Sequence, residues 1–170
     1  MNSTDYIIDI ALVLLVLLQI KERPLTNKAL IRPLIILGIA VVSYFNGFPT
    51  GGNDLLLVGA LALLGGMIGV ASGQTVFMRR GEHGEALARA GWASAFFWVL
   101  GMGSRFAFLV WINNGGQSTI AKFSAHHSIT SGEAWTVALL GMAVCEVVGR
   151  TAVMALRRNQ VEHRMVPELA

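Results

Sequence analysis

Two acids and two bases sit inside stretches otherwise composed for hydrocarbon: Asp9, Arg105, Glu146 and Arg150. An ionised side chain at the centre of a bilayer costs about 2.5 to 3.5 kcal/mol on insertion scales, so each of these needs a partner. Glu146 precedes Arg150 by one helical turn, the favourable order for an ion pair along a helix. At a rise of about 1.5 Å per residue, Asp9 falls roughly 6 Å below one membrane surface, Arg105 about 10 to 12 Å, Glu146 about 16 Å and Arg150 about 22 Å. Arg105 can therefore reach either carboxylate, and the stretches that carry these residues are expected to meet. Three uses are open to such a network. It can fix helix register as a dry, satisfied cluster, it can build a polar pocket or a proton and ion pathway in the outer half, or single charges can snorkel to the headgroups.

Other groups with chemical potential are less well placed. His126 and His127 are adjacent and so point apart on a helix or strand, His83 stands beside Glu82 and Glu85 without a second cluster at metal-ligand spacing, and His163 is near the C-terminus. No metal site and no cofactor is expected. There is no Gly-rich phosphate loop, zincin helix or nucleophile elbow, which makes a non-enzymatic protein the stronger expectation. Cys145 and Ser104 are the reactive side chains nearest the charge network.

The elements that must position these residues are apolar stretches. Only 14% of residues are charged against 54% apolar, which excludes an ordinary soluble globular domain and places the chain in the membrane class. An all-α, polytopic transmembrane helix bundle is expected, a single unit over residues 1–158 with spans at about 6–20, 33–45, 55–78, 92–113 and 135–156, and a tail at 159–170. Pro24 breaks the first connection, and Pro33 opens the second span, where its missing donor is harmless. NGFPTGGND after the second span reads as an irregular turn. Residues 82–90 are expected to form a short surface helix. Residues 113–134, rich in Gly, Ser and Thr, read as a long connection with a turn near Ile120 to Phe123.

Basic residues give a direction. Lys21, Arg23, Lys28 and Arg32, then Arg79, Arg80 and Arg89, then Arg157, Arg158 and Arg164 fall on one side, and Lys122 alone on the other. Ten against one implies an N-terminus outside and a C-terminus in the cytoplasm of a cell membrane protein. The same scatter at segment ends argues against nucleic acid, which would call for a basic face or stripe. The lipid bilayer is the expected partner, together with a second copy or another membrane protein. That expectation rests on small residues every four positions, Gly65, Gly69 and Gly73 in the third span and Gly141, Cys145 and Gly149 in the fifth, which let helix backbones approach closely.

The basic, proline-containing first loop (Lys21, Arg23, Pro24, Arg32, Pro33), the glycines Gly65, Gly66 and Gly69, the Gly91-Trp92 pair and the single arginines Arg105 and Arg150 together resemble the small bacterial CcdC-like (DUF1453) integral membrane proteins. The resemblance implies a multi-span cytoplasmic-membrane protein and no established activity. The expected role is accessory or structural, exercised through the small-residue seams; the alternative is a small transporter or channel with an outer-half pocket on Asp9, Arg105, Glu146 and Arg150.

Overall fold

The structure, a computed structural model, describes residues 23–44, 47, 49–81 and 86–163. The first apolar stretch at 6–20, with Asp9, lies outside the described residues, as do 82–85 and 164–170. What is described is mostly helical: α1 (Asn27–Tyr44), α2 (Asp54–Gln74), α3 (Trp92–Trp111), α4 (Gln117–His126) and α5 (Gly132–His163). Three helices are long and apolar enough to cross a membrane, namely α2, α3 with its continuation into α4, and α5.

The closest packing joins α2 to α5, and glycine makes it feasible. A Cβ added to Gly65 would collide with the Met142 carbonyl, one on Gly69 with the Glu146 carbonyl, and one on Gly73 would lie 2.9 Å from Val153 Cβ and 3.0 Å from the Arg150 carbonyl. Contacts that climb both helices in the same order mean that α2 and α5 run parallel. Gly141 and Gly149 face back across the same interface, Gly149 toward the Gly66 carbonyl at 3.1 Å and Gly141 toward Val58 and Ala62. Both stripes of small residues therefore lie in one interface inside the chain, each facing other residues of the opposite helix. α3 runs antiparallel to both, with Ser94 near Arg150, Arg105 near Glu146 and Phe108 stacked on Trp135.

Both ends of the α2–α5 pair are tied by polar contacts. At the start of α2, the fully buried Asp54 accepts from the Thr130 amide at 2.8 Å and from Thr130 Oγ1 at 2.5 Å, while Asn53 Nδ2 donates to the His127 carbonyl at 3.0 Å. At the other end, Arg157 Nη1 donates to the carbonyls of Gly73, Gln74 and Val76 at 3.0, 2.7 and 2.7 Å, satisfying two terminal carbonyls of α2 that have no partner along the helix and tying them to the first residue of the strand that follows.

Several expectations are corrected here. The fold is not all-α: β1 (Arg23–Pro24), β2 (Val76–Arg80) and β3 (Ala86–Ala90) form an antiparallel sheet in the order β1-β3-β2. The third apolar stretch ends as helix at Gln74 and not at 78, because β-branched and aromatic residues Thr75, Val76 and Phe77 follow and Arg157 closes the helix end. Ala86–Ala90 is a strand instead of surface helix; its alanines and arginine favour helix locally, and pairing with β2 along its whole length overrides that preference.

α1 starts at Asn27, six residues before Pro33, because Thr26 caps its first turn by accepting from the Ala29 amide, so Pro33 lies inside the helix. The connection at 113–134 is largely helical: a kink within Ile112–Gly116, where Asn114 and Gly115 leave helical geometry with Gly115 at φ +107°, leads into α4. α5 begins at Gly132 and continues to His163, past the expected end at 156, with Arg157 and Arg158 held by partners at the sheet and at Asn27.

Candidate functional site

The charged centre of the bundle is one ion pair. Arg105 Nη2 on α3 donates to Glu146 Oε2 on α5 at 2.8 Å, and Glu146 is 6% exposed. The carboxylate fits because Gly101, one turn before Arg105 on α3, has no side chain: any Cβ there would run into the Glu146 carboxylate. The backbone of the same residue, Glu146, is what Gly69 of α2 packs against. Glu146 thus sits where all three long helices converge, which explains why a charge is tolerated there: its lone pairs meet a guanidinium and its flanks meet glycine.

Arg150 does not pair with Glu146 as its spacing suggests. Its Nη2 lies 3.4 Å from Ser94 Oγ on α3, and the salt bridge found among the described residues is the one between Arg105 and Glu146. Cross-helix geometry decides this. α3 lies against that face of α5, so both arginines are drawn across the interface instead of along one helix. Asp9 lies outside the described residues, and its expected pairing has no geometry to report.

Arg105 Nη1 is buried without a hydrogen-bond partner among the described residues. Beside Arg105 is a cavity of about 160 Å³ bordered by Ser104, Leu64, Phe108, Trp135 and Met142. Phe108 and Trp135 also border a larger cavity of about 430 Å³ between α3, α4 and α5, whose rim carries Gln117, Ser124, Thr130 and Thr136. Trp135 is held in place by its Nε1 donating to Ser124 Oγ at 3.1 Å and by stacking on Phe108 at 5.3 Å between centroids. Its neighbours form an aromatic collar with Phe123 and His127, in which His126 and His127 contact each other edge to face. Among the described residues no group of three or more His, Cys, Asp or Glu could hold a metal.

A second feature lies on the outward side of the α2–α5 pair. A groove of about 720 Å³ is floored by Gly66, Cys145 and Gly149 and walled by Ala62, Met67 and Val70. Gly66 has room: a Cβ there meets nothing closer than Cys145 Cβ at 3.9 Å. Gly65, the residue before it, and Gly69, three residues after it, are sealed against α5.

Two residues with structural weight were not singled out by the sequence reading. Asp54 looked like part of a turn because it follows Gly51, Gly52 and Asn53; an acid in the first turn of an apolar helix is the signal that was present. Arg157 counted only toward orientation, and nothing in its local sequence distinguishes it from Arg158. No known protein family, curated protein or solved structure matches this chain.

Proposed function

We propose that the chain is a multi-pass protein of the cell membrane with a non-enzymatic, accessory or structural role, exercised by docking another membrane helix, from a second copy or a partner protein, in the groove between α2 and α5. The proposal keeps five spans, with the 6–20 stretch and α1 joining the three long helices, the N-terminus outside and the C-terminus in the cytoplasm. The parallel course of α2 and α5, with α3 antiparallel, is what third, fourth and fifth spans require, and the basic residues collect at one end of them.

The observation that supports docking is the groove itself. Small residues on both of its helices, Gly66, Cys145 and Gly149, leave backbone within reach of an incoming helix, and lipid is a poor competitor for that close contact. Gly66→Leu tests it, because the space above Gly66 is open and the substitution fills the groove without entering the α2–α5 interface. Expected is a loss of self-association or of a co-purifying membrane protein in mild detergent, with thermal unfolding of the chain unchanged. Unaltered association would remove the groove as the docking site.

A small transporter or channel is the second reading, favoured by the cavities that share Phe108 and Trp135 and end beside Arg105. Its measure is flux through proteoliposomes: Trp135→Ala should raise the flux if the aromatic collar gates such a path.

A further inference from the structure

Inside the bundle one guanidinium has a donor to spare. Arg105 Nη2 is taken by Glu146 Oε2 at 2.8 Å, whereas Nη1 is buried and has no hydrogen-bond partner among the described residues. A buried donor without an acceptor costs folding free energy, so a group that brings an acceptor to it is held by more than its apolar surface. Arg105 borders the cavity of about 160 Å³, whose wall is otherwise built mostly of Leu61, Leu64, Phe108, Leu139 and Met142. Ser104 and Trp135 are the other polar residues on that wall, and both have placed their protons elsewhere. Ser104 Oγ donates to the Gly101 carbonyl at 3.1 Å, and Trp135 Nε1 to Ser124 Oγ at 3.1 Å. Arg105 is therefore the wall's source of a free N–H.

Size and charge narrow what fits. An apolar cavity of about 150 Å³ accepts one benzene ring, so the space beside Arg105 suits a single six-membered ring. The larger cavity of about 430 Å³ shares Phe108, Trp135 and Leu139 with it, so the two adjoin there, and it continues along Leu109, Ile112 and Ile120. A volume of that order is in the range of small-molecule sites. Glu146 already neutralises Arg105, and a second carboxylate on the same guanidinium would leave one negative charge unbalanced in an apolar wall. Arg150 does not supply the balance: it borders neither cavity and lies against Ser94. A neutral acceptor meets no such cost. Water is a poor one here, since it would find at most Nη1 and Ser104 Oγ, the low end of the two to four polar partners that buried water uses.

We infer that the adjoining cavities form one binding site for a neutral amphipathic molecule with a carbonyl on an aromatic or quinonoid ring. The ring lies beside Phe108 and Trp135 with its carbonyl oxygen accepting from Arg105, and an alkyl chain runs into the larger space. The inference rests on the cavities that favour the transporter reading and names a ligand class for them, but it requires binding alone and no flux.

The test uses the full chain in nanodiscs and three probes: heptanophenone, heptylbenzene, in which a methylene replaces the carbonyl, and para-hexylbenzoate, which carries a charge. Bound probe is counted by mass spectrometry relative to its partition into protein-free nanodiscs. The wild-type protein should take the ketone about tenfold more tightly than heptylbenzene, and the benzoate no better than heptylbenzene. The C=O stretch of the bound ketone should move to lower frequency, as a carbonyl's does on accepting a hydrogen bond. Arg105→Met with Glu146→Leu replaces the buried pair by apolar groups, an exchange that folded proteins often tolerate, and should bring ketone and hydrocarbon to equal affinity. Asp9→Asn should leave the ketone's affinity unchanged; a gain would mean that Asp9 competes for Nη1 and would overturn the site. Equal binding of ketone and hydrocarbon by the wild type, preference for the benzoate, or a ketone preference that survives in the Arg105→Met, Glu146→Leu protein would each overturn it as well. Ketone binding without flux in proteoliposomes would remove transport and leave this site standing.

Discussion

Glu146 carries more of this molecule than its single salt bridge suggests. Its carboxylate takes Arg105, its flank takes Gly101, and its carbonyl receives Gly69, so one residue touches both of the other long helices. Glu146→Gln leaves the volume and removes the charge, stranding Arg105 in a buried position; breaking a buried pair from one side typically costs about 3 to 5 kcal/mol. A marked fall in the thermal unfolding midpoint in detergent is expected. Adding Arg105→Gln should recover part of the loss, since the stranded charge goes with it, and a double-mutant cycle reads the coupling. If the double variant is as damaged as the sum of the single ones, the pair is not coupled and the packing around it carries the stability. At the far end of α2, Asp54→Ala removes both acceptors of Thr130 and should destabilise by about 1 to 3 kcal/mol, measured in the same way.

The interface between α2 and α5 is a property of two elements, and glycine sets its closeness. Gly69→Ala should force the helices apart by bringing a methyl group onto the Glu146 carbonyl, lowering yield and thermal stability together. Gly66→Ala, three positions earlier, meets open space and should be tolerated. A protein indifferent to both would show that the parallel pair is looser than described. Arg157 acts between elements too: with Arg157→Leu three carbonyls at the α2–β2 junction lose their donor, and amide exchange at Thr75 to Met78 should accelerate while the centre of α2 stays protected.

At the scale of the whole molecule, the two ends differ in kind. One gathers arginines around a small sheet, the other holds the aromatic collar, α4 and Lys122. Single cysteines at Arg80 and at Lys122, in a Cys145→Ser background, should therefore react differently with a membrane-impermeant maleimide in intact cells. Lys122→Cys is expected to label from outside, and Arg80→Cys only after the membrane is opened. Labelling of both from outside would invert or abolish the proposed orientation.

The apolar stretches were plain in the sequence because hydrocarbon tolerates little else over some 20 residues, and composition alone therefore separates them from connections. Depth alone left Arg105 within reach of Asp9 or Glu146, and the tertiary structure brings it to Glu146. Local spacing misled for Arg150, because a turn's separation along α5 says nothing about α3, which lies alongside and offers Ser94. The hairpin was hidden for a similar reason: Ala86 to Ala90 has helical propensity by itself, and only the pairing of all five residues with β2 makes it a strand. Likewise, glycine spacing announced close packing in two places, but whether each stripe would meet lipid, a partner or another helix of the chain could be decided only once the chain brought α2 and α5 side by side.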